Sequence, residues 1–490
     1  GRRGAMLSAR YVDKYLNSKL NFMQKRNSQE ALYAVTDGIN ELTVSVIGVG
    51  ISTISDIFLL LILFSGLFYL GPYLALLCIL IFFLFGLFSS KFLHKTAREL
   101  GIKGTQLRMS SNELMMELLF GYREIYTKGK ITFYSKRMKD VRQDIGENQG
   151  AASFLPYVGK YVLEVVTILG VLAISGLQFS TSSAINAVST LSFFLASLSR
   201  IAPAALRIQQ SFLTMRSALG TTKITLDVVQ DLEEFKVQNS LVEDEHPERL
   251  SREFIADLVI QDLSFSYPNS NSSVLRNINL HVAAGKSLGI MGPSGAGKST
   301  FVDLILGLRE PSSGSILISY THPSEVVRTW PGVIAYVPQE PYFADVSIKE
   351  IVALGVLPGQ ISEDKVWQCL RLASIAAFVE SLEEGLEFKV GERGSRLSGG
   401  QKQRLAIARS LYSEPGLIVL DEATSALDVE TEEEIRLSIE NLKGQITLVV
   451  ISHRLSILKN LDEVILLKSG EIQAKGRFEV VSQQLILDEA

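Results

Sequence analysis

The sequence predicts an all-α transmembrane helical domain with long cytoplasmic helices, followed by an α/β domain of P-loop type. Three observations lead there. Two runs carry no charged residue, 34 residues between Asp56 and Lys91 and 35 between Glu164 and Arg200. From about Ser251 the composition is that of an ordinary water-soluble domain, with charges at regular intervals. Inside that second half GPSGAGKST, Gly292 to Thr300, sits between an apolar strand-like stretch and an amphipathic one. The mean hydropathy of +0.23 is therefore the average of two unlike halves.

At 490 residues the chain has room for two or three domains, each with its own core. A net charge of -4 provides no global field for nucleic acid, and none is expected as a partner. Cys78 and Cys369 lie in different halves, so neither a disulfide framework nor a metal site can be built from them. Both read as small apolar core residues. The start, GRRGAMLSAR, lacks the apolar core of a signal peptide and reads as a vector-derived scar or the cut end of a longer protein.

A hydrocarbon layer about 30 Å thick takes roughly 20 helical residues to cross. Each uncharged run exceeds one crossing and is broken by a turn signal, Leu70-Gly71-Pro72 in the first and Gly176 to Ser183 in the second. Four spans follow, near 49–69, 72–91, 157–177 and 184–204. The 19 uncharged residues from Pro72 to Ser90 argue against a soluble protein with buried helices. Twelve Lys or Arg residues from Lys91 to Arg142 place that segment on the cytoplasmic side. Its sequence is helical, and two helices of about 25 residues would each project nearly 40 Å. The glycines of FGYREIYTKGK mark a bend at the tip.

Counting back from the turns puts Asp56 and Glu164 inside the inner-leaflet ends of their spans, with Arg200 at matching depth. Such residues line a pathway for a polar or charged headgroup, or else Glu164 pairs with Lys160 one turn away and the others reach the interface. The transmembrane domain is expected over 1–220, an acidic and polar linker over 221–250, and the α/β domain over 251–490.

In that domain strand, GxxxxGK[ST] and helix follow one another as a phosphate-binding loop requires. Its glycines let backbone N–H groups converge on phosphates at a helix N-terminus. Lys298 is suited to bridge β- and γ-phosphates, and the Ser299 hydroxyl to hold Mg2+. GLIVLDEATSALD is an apolar strand, Leu417 to Leu420, ending in Asp421 and Glu422. A carboxylate there suits Mg2+ coordination, and Glu422, one residue further out, could take a proton from attacking water.

Tyr267, GPSGAGKST, Gln339 in YVPQE, VGERGSRLSGGQKQR, LIVLDEATSALD and His453 in ISHRL stand in the order found in ATP-binding cassette (ABC) transporters of exporter type. The chain resembles that family, strongly over 251–490 and by layout over 27–220. The resemblance implies an ATP hydrolase, with ATP and Mg2+ as its ligands. Gly292, Pro293, Ser294, Gly295, Ala296, Gly297, Lys298, Ser299 and Thr300 would line the phosphates, and Tyr267 would stack on adenine. Ser299, Gln339 and Asp421 would hold Mg2+, while Glu422, His453 and Gln339 would act on the attacking water and the γ-phosphate. Ser398, Gly399, Gly400 and Gln401 would close the site of a second half-transporter, identical or not, with Asp428 at the seam. VGERG, Val390 to Gly394, would sense the partner's intracellular helices, and FGYREIYTKGK would dock on a nucleotide domain. The protein would be an integral, multi-pass membrane protein with its ATPase domain in the cytoplasm, in a bacterial inner membrane.

Two departures stand out. The family pattern has six spans per half where four are counted, which suggests that the first two are absent, and Ile351 replaces the usual Asn. LPYVGKYVLEVVTILGVL and SLSRIAPAALRIQQS resemble flippases of lipid-linked oligosaccharides, so the expected cargo is such a lipid or another membrane lipid. A multidrug or peptide exporter is the alternative, and a non-transporting regulator or channel a second one.

Overall fold

Leu, Ile and Phe occupy the whole circumference of the segment from Val49 to Leu70, the pattern of a helix surrounded by apolar medium rather than one facing water. The computed structural model describes residues 2–18, 20–25, 27–70, 72–181, 184–234, 254–268, 270, 272–422 and 429–489. The chain divides into two units, Gly1–Ser240 and Leu241–Ala490.

In the first unit the described residues are almost wholly helical. Its elements include α1 (Arg2–Leu16), α2 (Val49–Leu70), α3 (Pro72–Phe120), α4 (Tyr122–Thr127), α5 (Ile131–Thr181) and α6 (Ala184–Glu234), with shorter helical turns over 20–25 and 28–48. Pro72 opens α3, where its missing N–H costs nothing. Among the described residues four helical stretches are long and apolar enough to cross a membrane: Gln29–Tyr69, Cys78–Phe120, Ile131–Gly176 and Val188–Glu233. Leu67, Cys78, Ile174, Phe194, Leu198 and Ile201 form a core between them. Outward faces stay apolar, with Phe58, Leu61 and Ile62 exposed, as a lipid-facing surface requires. Helices α3 and α5 each continue from a span into the Lys- and Arg-rich segment without a break. Between them the short α4 turns the chain, and Gly129 takes a left-handed φ of 63° just beyond it. Helix α6 runs on to Glu234, so the first part of the expected 221–250 linker is helical.

The second unit holds two sheets. β1 (Leu258–Ser266), β2 (Ser273–Val282) and β4 (Ser313–Ile318) form an antiparallel sheet in the order β2-β1-β4. β3 (Ser287–Met291), β5 (Ile334–Val337), β6 (Leu417–Asp421), β7 (Thr447–Ile451), β8 (Glu463–Lys468) and β9 (Glu471–Gly476) form the other, in the order β5-β6-β7-β3-β8-β9. Every neighbour pair in it is parallel except β8 with β9. The central strands are buried on both faces, which is why β3 and β7 read as continuous apolar runs. Helices α7 (Lys298–Ile305), α8 (Glu363–Leu372), α9 (Gly399–Leu411) and α10 (Val429–Leu442) belong to the same unit. Cys369 on α8 and Cys78 on α3 are free and buried.

Candidate active site at the strand ends

Register assembles the site. Ile290 on β3 and Asp421 on β6 both lie opposite Ile451 on β7, so the three strands end level. The residues that follow, Gly292, Glu422 and His453, leave the sheet at one edge, the carboxyl end where α/β sheets bind ligands. At two positions the loop has no room for a side chain. A Cβ on Gly292 would lie 2.1 Å from the Leu467 carbonyl, and Gly297 holds a left-handed φ of 101° immediately before α7.

Lys298, Glu422, His453 and Gln339 meet in one cluster. The Lys298 ammonium donates to the Gly292 carbonyl at 2.7 Å and the Pro293 carbonyl at 3.3 Å, with Glu422 Oε1 3.9 Å away. His453 Nε2 lies 3.1 Å from both Lys298 Nζ and Glu422 Oε1. With a proton there it donates to Glu422; without one it accepts from Lys298. Gln339 Nε2 donates to Glu422 Oε2 at 2.9 Å, so the Glu422 carboxylate is held from both sides. Glu422 itself has a φ of 47°, a conformation uncommon for a side-chain-bearing residue and typical of functional positions.

Electrostatics follow burial. Desolvation pulls the Lys298 ammonium below its ordinary range, opposed by Glu422 and Asp421. Burial pushes the Asp421 carboxyl up, and the hydrogen bond from Tyr336 OH to Oδ2, 3.1 Å long, works the other way. Tyr336 in turn is pushed up by burial and by Asp421. Asp421, the Ser299 hydroxyl and the Gln339 amide oxygen are all oxygen donors, the set a hard dication prefers. Among the described residues no three His, Cys, Asp or Glu side chains cluster as a complete metal cage. These residues thus fit Mg2+ held jointly with phosphates and water.

The profile of the ABC transporter family matches residues 275–425. Over 449 residues the chain is 30% identical to the ATP-dependent lipid A-core flippase of Desulfotalea psychrophila, covering 88% of this chain and 73% of that protein. The chain belongs to the ABC transporter family. A bacterial Atm1-family ABC exporter solved with ATP bound has the same fold, at a TM-score of 0.80 and 22% identity, over 100% of this chain and 83% of the other. ABC transporter B family member 1 of Dictyostelium discoideum is 39% identical over 224 residues, 45% of this chain but only 24% of that larger protein.

In this ABC transporter the other expected residues fall at separate places. Ser398 caps α9: its hydroxyl accepts from the Gln401 N–H, and the Gln401 side chain accepts from the Ser398 N–H at 2.8 Å, leaving Gly399 and Gly400 as the first turn. Gln403 on the same helix donates to the Gln339 carbonyl, tying that helix start to the Glu422 cluster. Tyr267 follows β1, with its hydroxyl 3.0 Å from Thr300 Oγ1. Within the loop Pro293, Ser294, Gly295 and Ser299 are exposed, whereas Ala296 and Thr300 are buried. Asp428 lies outside the described residues. In the membrane unit Asp56 pairs with Arg207, through Arg207 Nη2 at 2.7 Å and Nε at 3.0 Å. Glu164 pairs with Lys160 at 3.8 Å, the local alternative, and Arg200 is exposed. Sequence reasoning missed Tyr336, Arg207 and Gln403. Only Arg207 left a trace, two helical turns beyond Arg200 on the same face.

Proposed function

We propose that this chain is one half of an ATP-driven exporter or flippase, in which nucleotide-dependent pairing of two cassettes drives the membrane helices. The observation that carries the reading is the Lys298, Gln339, Glu422 and His453 cluster in a chain whose described residues also include four membrane-length helices. Lys298, partly desolvated and turned onto loop carbonyls, would exchange them for β- and γ-phosphate oxygens. Gln339 and His453, each on one oxygen of Glu422, would aim that carboxylate at the attacking water, whose proton it takes. Ser299, Asp421 and Gln339 would hold Mg2+, which when bound neutralises charge on the phosphate oxygens.

The Ser398 hydroxyl and the N–H groups of Gly399 and Gly400 would face the γ-phosphate of the partner half-transporter, with Asp428 at the seam. Helix α4 at the tip of α3 and α5 would be the coupling element that receives the stroke. The similarity to a protein named as a lipid A-core flippase supports a lipid cargo, a lipid-linked oligosaccharide among them, and a bacterial inner membrane.

Glu422→Gln tests the site. ATP turnover should fall by about 10²–10⁴, while ATP binding persists. Unchanged turnover would remove Glu422 as the base. For the cargo, the protein in vesicles should move a lipid-linked saccharide across the bilayer only with ATP. Movement of a peptide instead would replace the lipid reading.

A further inference from the structure

Tyr267 is held on three sides. Its hydroxyl meets Thr300 Oγ1 at 3.0 Å, and Phe265 packs edge-on with ring centroids 5.1 Å apart. The Arg309 guanidinium lies over one face of the ring, 4.9 Å from its centroid. Arg309 is not a loose surface cation. Its side chain is 4% exposed, its Nε donates to Asp303 Oδ2 at 2.7 Å, and its backbone N–H donates to the Asp303 carbonyl at 3.3 Å. Arg309 therefore covers one face of the ring. Tyr267 is 37% exposed, so part of its surface is open to a ligand. Thr300 and Asp303 are three residues apart on α7, one face of the helix that begins at the phosphate loop.

We infer that Arg309 is a positioning residue for the adenine of ATP: clamped to Asp303, it fixes the plane of Tyr267 relative to α7 and leaves the other ring face for the base. Ring and phosphate loop then move as one body, so the base-to-phosphate distance of the ligand is set before it binds. A planar guanidinium stacked on a ring does this and an ammonium does it less well, because the flat fork matches the ring face. The inference rests on the reading of Tyr267 as the base-stacking residue.

The test is equilibrium binding of ATP and of inorganic tripolyphosphate to the full chain in detergent micelles, with EDTA to prevent turnover. Arg309→Ala should weaken ATP about fivefold and leave tripolyphosphate unchanged, since only ATP has a base to stack. Arg309→Lys, which keeps the ion pair with Asp303 and so the fold, should fall between. In a Tyr267→Ala background Arg309→Ala should cost nothing further. Equal loss for both ligands, the same loss without the tyrosine, or unchanged ATP binding would each overturn the inference. Should Tyr267→Ala itself leave ATP binding unchanged, the stacking reading beneath it fails; should that variant weaken ATP while both Arg309 variants do not, only the role of Arg309 fails.

Discussion

Asp421 and Glu422 are neighbours in sequence with opposite circumstances. Asp421 ends a buried strand and its carboxyl is pushed up by desolvation, whereas Glu422 has turned out of the sheet into a polar cluster. A buried charge at neutral pH is a cost the unfolded chain does not carry. Asp421→Asn, which keeps an oxygen for Tyr336, should therefore raise the Tm of the second unit on the order of 2 °C at pH 7, while abolishing Mg2+-dependent turnover. The sign with pH is definite. The gain is full above the raised native pKa, shrinks as pH falls through it, and vanishes below the ordinary carboxylate range, where both states are neutral. Calorimetry at pH 7 and near pH 3.5 checks this, and an equal gain at both would show that desolvation is not the cause. Lys298, Asp421 and Glu422 were legible in the sequence as a phosphate loop and as acids ending an apolar strand, and His453 only through the resemblance carried by ISHRL. Tyr336 was not, since its partner Asp421 is 85 residues away and a strand tyrosine has no signature.

Elements carry their own constraints. Gly297 precedes α7 at a φ of 101°, and a Cβ there would meet Leu275 Cδ2 at 2.8 Å. Gly297→Ala should destabilise the second unit by about 1–3 kcal/mol and sharply weaken nucleotide binding, measured by denaturant melts and ATP titration. In the membrane unit Asp56 and Arg207 join α2 to α6. Arg207 is half exposed, so either neutralisation, Asp56→Asn or Arg207→Gln, should cost only ~1 kcal/mol in detergent. The double exchange Asp56→Arg with Arg207→Asp should recover most of it; no recovery would mean that each residue acts alone. Depth along a helix is a matter of counting, which puts Asp56 toward the inner-leaflet end of its span and says nothing of its partner. Which of two cations on one face meets it depends on how α2 and α6 cross, and no local pattern encodes that.

At the scale of the whole molecule, the glycine pair of LSGGQ forms the first turn of a helix capped by Ser398, whose contact with the Glu422 cluster runs through Gln403. If the partner half supplies the second wall, a chain disabled in the loop (Lys298→Ala) and one disabled at the cap (Ser398→Arg) should each be inactive alone. Mixed in one micelle preparation they should regain ATPase activity, because one composite site per mixed dimer is intact. Failure to complement would confine each site to a single chain.

Local chemistry was enough for much of this protein. Uncharged runs of span length, a turn signal in each, a phosphate loop between strand and helix, and acids at the end of an apolar strand are short-range features read over a few residues. They pointed to the two fold classes and to four membrane-length helices, the number found among the described residues, and they named the candidate ATP-site residues. Tertiary structure alone decided the pairings: Asp56 with Arg207, Tyr336 with Asp421, Arg309 over Tyr267, and Gln403 on Gln339. Each joins residues far apart in the chain, brought together by strand register and helix packing. Those arise from burial of the whole core and are not written in any single segment.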